Sequence, residues 1–143
     1  MLLFCAAQAV ATPAIDFNRT HATNPLWTRH ARFHLVWQIF SQCLFAVFAG
    51  WLAWHQGPGM TARFYWATAI LAIPLVGFLG ATIARSAYGG ALHDPNGILP
   101  KRLTILGKRL EVDVNLVVAV AGLAALACIL VVYSWQDWLG TAD

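Results

Sequence analysis

Charged residues are scarce in this sequence. Asp, Glu, Lys and Arg make up only 10% of the 143 residues, against about 25% in an ordinary soluble domain, while 59% are hydrophobic and the mean hydropathy is +0.63. Cysteine pairs are also lacking, because Cys5, Cys43 and Cys128 have no CxxC spacing. This spacing supports neither a disulfide framework nor a thiolate metal site. The small net charge of +3 gives no indication of nucleic-acid binding.

Long uncharged runs take the place of the missing charges. A helix that crosses a bilayer needs about 20 mostly apolar residues, and the runs 33–54, 64–84 and 116–135 meet this requirement. Residues 1–15 form a shorter run, which we interpret as a span rather than a signal peptide because no basic residue precedes its apolar part. We therefore predict an all-α integral membrane protein: a single domain over residues 1–143, folded as an antiparallel four-helix transmembrane bundle with spans at about 1–15, 31–55, 62–86 and 114–136.

The basic residues are distributed unevenly between the predicted loops. Eight of the nine flank or lie in the first loop (residues 16–29) and the third loop (residues 87–112), and only Arg63 lies on the other side. The positive-inside rule then places both loops in the cytoplasm and both termini outside. Anionic membrane lipids are the expected partners of these cations.

The third loop contains a strand pattern. In "RLTILGKRLEV" apolar and polar residues alternate around a glycine, which predicts a short β-hairpin that turns at Gly107 and Lys108. We expect Leu103, Ile105, Leu110 and Val112 to face the helices. Within the third span, Gly77, Gly80 and Ala81 are small enough to let a neighbouring helix approach closely.

A line of polar side chains enters the second span. His30, His34, Gln38, Ser41 and Gln42 fall within about one third of the helix circumference. An amide without a partner is costly in hydrocarbon. Either another helix forms hydrogen bonds with this line, or the line faces a cavity that opens toward the cytoplasm.

Histidines and carboxylates from the two cytoplasmic loops share that face of the membrane. A carboxylate that orients a histidine is sufficient for proton transfer near neutral pH, so the candidate catalytic residues are His30, His34, Asp16, His21 and Asp94. His30 and His34 also have a spacing that suits a metal ion, with Asp16, His21 or Asp94 completing its shell. Purely structural hydrogen bonding is the alternative for this pair.

A second group of polar residues is suited to holding a ligand. The candidate substrate-binding residues are Asn18, Trp27, Arg32, Gln38, Ser41, Gln42, Asn96, Asp113 and Asn115. Some of them also have a structural interpretation, because "DPNG" at 94–97 is typical of a tight turn. Asp113 is expected to cap the fourth span, or else to pair with Arg85 or Arg32.

Three blocks of the sequence, "DFNRTHATNPLWTRHARFHLVWQ", "ALHDPNGILP" and "VDVNLVV", carry a resemblance. They are similar to an uncharacterised family of small four-span bacterial integral membrane proteins with a THxTNPxW…HARFH block, a DPNG motif and a late D-x-N-L-V motif. Arg29 stands where that pattern has proline. The resemblance implies the bacterial cytoplasmic membrane and a site at the matched polar residues, and it implies no reaction.

Three functions fit these features. The first is the binding or transformation of a hydrophobic molecule, such as a lipid, quinone or terpenoid, at a His/Asp/Asn site on the cytoplasmic membrane boundary. The second is a non-catalytic accessory subunit that associates with other membrane subunits or with copies of itself. The third is a metal-binding membrane protein whose ligands include His30 and His34.

Overall fold

The protein is mostly helical, with one small β-hairpin. A computed structural model describes residues 1–55, 57–105 and 107–140. Its elements are α1 (Leu2–Asp16), α2 (Arg29–Trp54), α3 (Met60–Ala84), a 3₁₀ turn (Arg85–Ala87), β1 (Lys101–Ile105), β2 (Lys108–Val112) and α4 (Val114–Gly140). The predicted helical fold and the predicted hairpin in the third loop are both confirmed.

Three helical segments are long and apolar enough to cross a membrane. They are Arg29–Trp54 with 26 residues, Met60–Ala87 with 28 and Val114–Gly140 with 27. At 1.5 Å per residue each extends about 39 Å or more, which exceeds the roughly 30 Å hydrocarbon core of a bilayer. The first predicted span also forms a helix, but α1 has only 15 residues.

Neighbouring helices are antiparallel, and the core between them is made mostly of small side chains. The Cys43 thiol lies 3.5 Å from the Ala9 carbonyl oxygen, which joins α2 to α1. Phe64 stacks on Tyr133 with ring centroids 3.6 Å apart, which joins α3 to α4. The buried core consists of Cys5, Ala46, Ala49, Ala67, Leu71 and Leu126. Four of these six side chains are alanine or cysteine, so the helix backbones can approach closely.

The turn between α2 and α3 is held by one arginine. Arg63 donates to the carbonyl oxygens of His55 at 3.0 Å, Pro58 at 2.7 Å and Gly57 at 3.3 Å. Gly59, just before α3, has a φ of 77°, a conformation that favours glycine. Arg63, in the first turn of α3, thus satisfies the carbonyl oxygen at the C-cap of α2 and two carbonyl oxygens of the turn.

Many large apolar side chains point away from the protein. Trp51, Trp54, Trp66, Trp135 and Trp138 are all more than half exposed near the helix ends that lie opposite the first and third loops. Soluble monomers rarely expose continuous apolar surface on this scale, and tryptophan is enriched at membrane interfaces. The outer faces of the long helices therefore suit lipid.

The hairpin corrects two expectations. Ile105 pairs with Lys108, so Lys108 belongs to β2 and the turn does not centre on Gly107 and Lys108. Leu106 and the side chain of Ile105 lie outside the described part of the chain. Leu103 and Leu110 pair directly but stay 44% and 45% exposed instead of packing on the helices. Since side chains alternate along a strand, their face also carries Lys101 and Lys108, which interrupt its apolar surface.

The tight helix packing predicts intolerance to larger side chains. Ala67 of α3 is fully buried in the core, so Ala67→Leu should destabilise the protein by about 1–3 kcal/mol through overpacking. Thermal unfolding in detergent, followed by near-UV circular dichroism, measures the loss. Ala62→Leu on an exposed position of the same helix is the matched control. Equal unfolding temperatures for the two variants would contradict the assigned core.

Candidate functional site

A hydrogen bond between the first and third loops joins two of the sequence motifs. The Trp27 indole Nε1 donates to Asp94 Oδ2 over 2.9 Å, although the residues are 67 positions apart. Asp94 Oδ1 accepts the Asn96 backbone N–H at 2.7 Å, and the Gly97 N–H bonds to the Asp94 carbonyl oxygen at 2.9 Å. "DPNG" thus forms the predicted tight turn, and this turn aims the Asp94 carboxylate at Trp27.

These contacts keep Asp94 ionised. The Asn96 backbone N–H and then the Trp27 indole lower the pKa of the Asp94 carboxyl below its usual value, and nearby His21 contributes in the same direction. Hydrogen bonds donated to a carboxylate favour its charged form. Asp94 therefore acts as a charged acceptor that holds the two loops together.

The tautomer of His21 follows from a chain of hydrogen bonds. The Thr20 backbone N–H donates to Asn18 Oδ1 at 2.9 Å, which identifies that atom as an acceptor. The Thr20 hydroxyl lies 2.6 Å from the same oxygen and must donate its single proton to it. His21 Nδ1, 2.7 Å from the Thr20 hydroxyl, must then be the donor. Neutral His21 consequently carries its proton on Nδ1, and its Nε2 is the basic nitrogen.

The remaining polar residues of the first loop support its backbone. Asn18 Nδ2 donates to the Ile15 carbonyl oxygen at 2.7 Å and so closes the end of α1. Asn24 is buried, accepts the Leu26 N–H at 3.0 Å and donates to the Thr20 carbonyl oxygen at 3.3 Å. Asp16 ends α1 within electrostatic reach of His21. Asp16, Asn18, His21, Trp27, Asp94 and Asn96 therefore form one cluster, which we call the loop cluster.

His30 and His34 contact each other, and among the described residues no hydrogen bond joins either of them to Asp16 or Asp94. Their Nε2 atoms are 3.0 Å apart in perpendicular rings, and both side chains are exposed on the first turns of α2. In the part of the chain that the structure describes, no group of three or more His, Cys, Asp or Glu residues is arranged to hold a metal ion. The pair thus offers at most two protein ligands. Arg32 lies between the two histidines in the sequence, in the first turn of α2.

Asp113 is engaged at the start of α4. Its Oδ1 accepts the backbone N–H groups of Asn115 at 2.9 Å and Leu116 at 3.2 Å, which confirms the predicted helix cap. Its Oδ2 lies 3.5 Å from His93 Nδ1, and the alternative pairing with Arg85 or Arg32 is not found among the described residues. Asn115 Nδ2 donates to the Leu92 carbonyl oxygen at 3.2 Å. Both polar residues thereby anchor the third loop to α4.

The part of the polar line that lies farther along α2, from Gln38 onward, faces a cleft between α2 and α3. This α2–α3 cleft has a volume of about 540 Å³. Three of the predicted substrate-binding residues, Gln38, Ser41 and Gln42, lie along its α2 wall. Its remaining lining residues are Phe45 of α2, Ile73, Pro74, Gly77, Phe78, Ala81 and Thr82 of α3, and Arg85, Tyr88, Ala91 and Leu92 after α3.

Gly77 on the α3 wall leaves space in the cleft. A Cβ atom added at Gly77 would meet no atom within 4 Å, and the same holds at Gly80. The expected close approach of a neighbouring helix at these glycines is therefore wrong. Close approach occurs instead at Gly122 of α4, where an added Cβ would lie 3.2 Å from the Leu75 side chain.

Arg85 and Tyr88 form the polar mouth of the cleft. The Tyr88 hydroxyl donates to the Ala81 carbonyl oxygen at 2.9 Å, and Arg85 Nη1 donates to the Thr82 carbonyl oxygen at 2.7 Å. A Cβ atom at Gly90 would overlap the Tyr88 ring, so the ring position depends on that glycine. Sequence reasoning missed Tyr88 as a site residue; the signal was an aromatic residue placed directly before the pair Gly89 and Gly90.

Gln42 has a partner on another helix. The Thr12 hydroxyl donates to Gln42 Oε1 at 3.3 Å, so the expected helix-to-helix hydrogen bond occurs at the inner end of the polar line. Gln42 also lines the cleft. Within residues 1–55, 57–105 and 107–140, no side-chain partner is found for the Gln38 amide, which is exposed at the cleft wall.

Comparisons with protein-family models, curated proteins and solved structures found no match to this chain.

The loop cluster makes a titration prediction. Because the pKa of Asp94 is lowered in the folded protein, its ionised form stabilises the loop contact above the pKa of an unfolded aspartate, and this contribution is lost as the pH falls through the lowered value. Trp27→Phe removes one donor and should raise the pKa of Asp94. Carbon-13 NMR of the aspartate-labelled protein in micelles measures the pKa of Asp94, and the Asp94→Asn variant identifies which signal belongs to Asp94. Trp66→Phe, at the other end of the bundle, should leave it unchanged, and an unchanged value in Trp27→Phe would contradict the role of the indole.

Proposed function

We propose that this protein is an integral membrane protein that binds a hydrophobic molecule with a polar end, of the lipid, quinone or terpenoid type, in the α2–α3 cleft. The observation that carries the proposal is the cleft itself. Small-molecule sites typically have volumes of about 300–1,000 Å³, apolar walls and a few polar groups, and the α2–α3 cleft has about 540 Å³.

The polarity of the cleft changes along its length. Arg85 and Tyr88, after α3, lie at the end near the first and third loops, because α3 ends there. Gln38, Ser41 and Gln42 lie deeper, on the α2 wall. Phe45 and Ile73 line the cleft farther along both helices. A ligand with a polar head and an apolar body would bury each part against matching side chains.

The proposed setting is a four-span antiparallel bundle in the bacterial cytoplasmic membrane, with α1 as its first span. The first and third loops would face the cytoplasm and both termini the outside, as the basic residues predict. The polar mouth would then lie at the cytoplasmic boundary, where a bilayer ligand can place its head group. Membership of the four-span family that the sequence resembles belongs to the same proposal.

Binding fits the geometry better than transformation of the ligand. None of the five candidate catalytic residues is among the residues that line the cleft. Asp94 is occupied by Trp27 and Asn96, and His30 pairs with His34. In this proposal the loop cluster shapes the connection above the cleft, and the cleft residues bind the ligand.

A second candidate is the accessory subunit. The exposed Gln38 amide favours it, because a helix of a partner subunit could enter the cleft and form hydrogen bonds with that side chain. The two candidates differ in what fills the same space, a small amphiphile or a polypeptide helix. Both depend on an open α3 wall at Gly77.

Two glycines of α3 provide the test. Gly77→Leu fills the cleft without a steric clash, whereas Gly80→Leu adds the same side chain at an open position that does not line it. Mass spectrometry of molecules that copurify in mild detergent should detect a specific amphiphile in the wild type and in Gly80→Leu. Gly77→Leu should retain at least about tenfold less of this amphiphile than the wild type, which corresponds to a loss of about 1.4 kcal/mol in binding free energy.

Three results would count against ligand binding in the cleft. The wild type could retain only bulk phospholipid, or the two leucine variants could retain equal amounts of ligand. The third is stoichiometric loss of a specific membrane subunit from Gly77→Leu alone, which would favour the accessory role.

A further inference from the structure

We propose that the ligand of the α2–α3 cleft is a single-chain amphiphile with an anionic head group, such as a long-chain carboxylate or monoalkyl phosphate. This inference rests on the proposed binding function and adds the charge of the head and the number of chains. It is drawn from the charge at the mouth and from the length of the cleft.

The charge of the lining selects the head group. Among the described residues that line the cleft, Arg85 is the one with a formal charge, and none is an aspartate or glutamate. The two ion pairs found between described residues, His93 with Asp113 and Arg102 with Glu111, do not involve Arg85. A guanidinium with five donors is well suited to a carboxylate or phosphate. A neutral quinone or terpenoid head would form no ionic contact with it.

Arg85 keeps donors available for such a head. One of its nitrogens, Nη1, is held by the Thr82 carbonyl oxygen at 2.7 Å, which fixes the direction of the side chain at the end of α3. Because the carbonyl is neutral, this hydrogen bond positions the guanidinium without neutralising it.

The dimensions set the length of the chain. The α3 wall extends from Ile73 to Arg85, or about 18 Å at 1.5 Å per residue. One extended alkyl chain laid along this wall fills the space that Gly77 leaves open. We therefore assign one chain to the cleft, and the competition with two-chain phosphatidic acid tests this assignment.

The apolar end supports an alkyl chain. Phe45, Ile73, Pro74 and Phe78 line the cleft, and Gly77 leaves the space between them open. The Thr82 hydroxyl on the α3 wall donates to the Phe78 carbonyl oxygen at 2.9 Å, so this polar group is already satisfied within its own helix. The chain thus passes a wall that demands little hydrogen bonding.

The test compares amphiphiles that differ only in their heads. Purified protein in nanodiscs is titrated with radiolabelled palmitate, and unlabelled hexadecanol, hexadecyl phosphate and two-chain phosphatidic acid compete for it. We expect palmitate and hexadecyl phosphate to bind at least about tenfold more tightly than hexadecanol, since charge-assisted hydrogen bonds are the stronger ones. Phosphatidic acid should compete poorly. The relative strength of the carboxylate and the phosphate identifies the preferred source of the anion.

Variants of Arg85 link this selectivity to the proposed residue. Arg85→Gln should abolish the preference for anions over hexadecanol, and Arg85→Lys should retain most of it. Arg29→Gln, which removes a basic residue at the start of α2 that does not line the cleft, should leave it unchanged. If Arg85→Gln fails to fold, Arg85→Ala takes its place, and in either variant a preference for anions as strong as that of Arg29→Gln would overturn the assignment.

The outcomes separate this inference from the function on which it rests. Equal binding of hexadecanol and palmitate, with both lost in Gly77→Leu, would overturn the anionic head and leave the cleft as a binding site. Strong competition by phosphatidic acid would overturn the single chain. Palmitate binding that Gly77→Leu leaves intact would overturn the cleft as the site, and with it the proposed function.

Discussion

A polar group in an apolar surrounding needs a partner within the protein, and this constraint governs where the polar side chains of this chain lie. Thr68 is buried and donates to the Phe64 carbonyl oxygen of its own helix at 2.9 Å. Thr61 donates to Asp137 at 3.1 Å and thereby ties α3 to α4. The Gln8 amide is the exception, since it is buried and forms no hydrogen bond with the described residues. The interior of α1 therefore holds an unsatisfied polar group.

The same constraint divides the conspicuous polar residues into two groups. In the loop cluster, hydrogen-bonding capacity is used to fold the chain: Trp27 and Asp94 join two loops, and Asn18 closes a helix. In the α2–α3 cleft, Gln38 and Arg85 retain donors that the described residues do not use. A residue type that looks reactive in the sequence can thus be fully engaged in structure, while an ordinary glutamine is left to meet a ligand.

Hydropathy and strand alternation were sufficient to predict the long helices and the hairpin, because both depend on local pattern. The hairpin turn was placed one residue too late, since alternation around Gly107 fits either position and only the pairing of Ile105 with Lys108 decides. The helix period also predicted that Gln38, Ser41 and Gln42 share one face. It did not predict which neighbour they meet, because the period of one helix contains no information on the packing of another.

Arg85 and Tyr88 show where sequence reasoning ended. Their place at the cleft depends on the chain reversing after α3, where the Gly90 N–H bonds to the Arg85 carbonyl oxygen at 2.7 Å. No periodic pattern marks such a reversal. The hydrogen bond between Trp27 and Asp94 was likewise beyond a local pattern, because the two residues are 67 positions apart.

The hydrogen bond between Trp27 and Asp94 also sets an order for biosynthesis. When Trp27 leaves the ribosome its acceptor has not been made, and 67 further positions, including all of α2 and α3, separate the two. The first loop can therefore adopt its final arrangement only after α2 and α3 have been synthesised. Truncated nascent chains that end before residue 94 would lack this hydrogen bond.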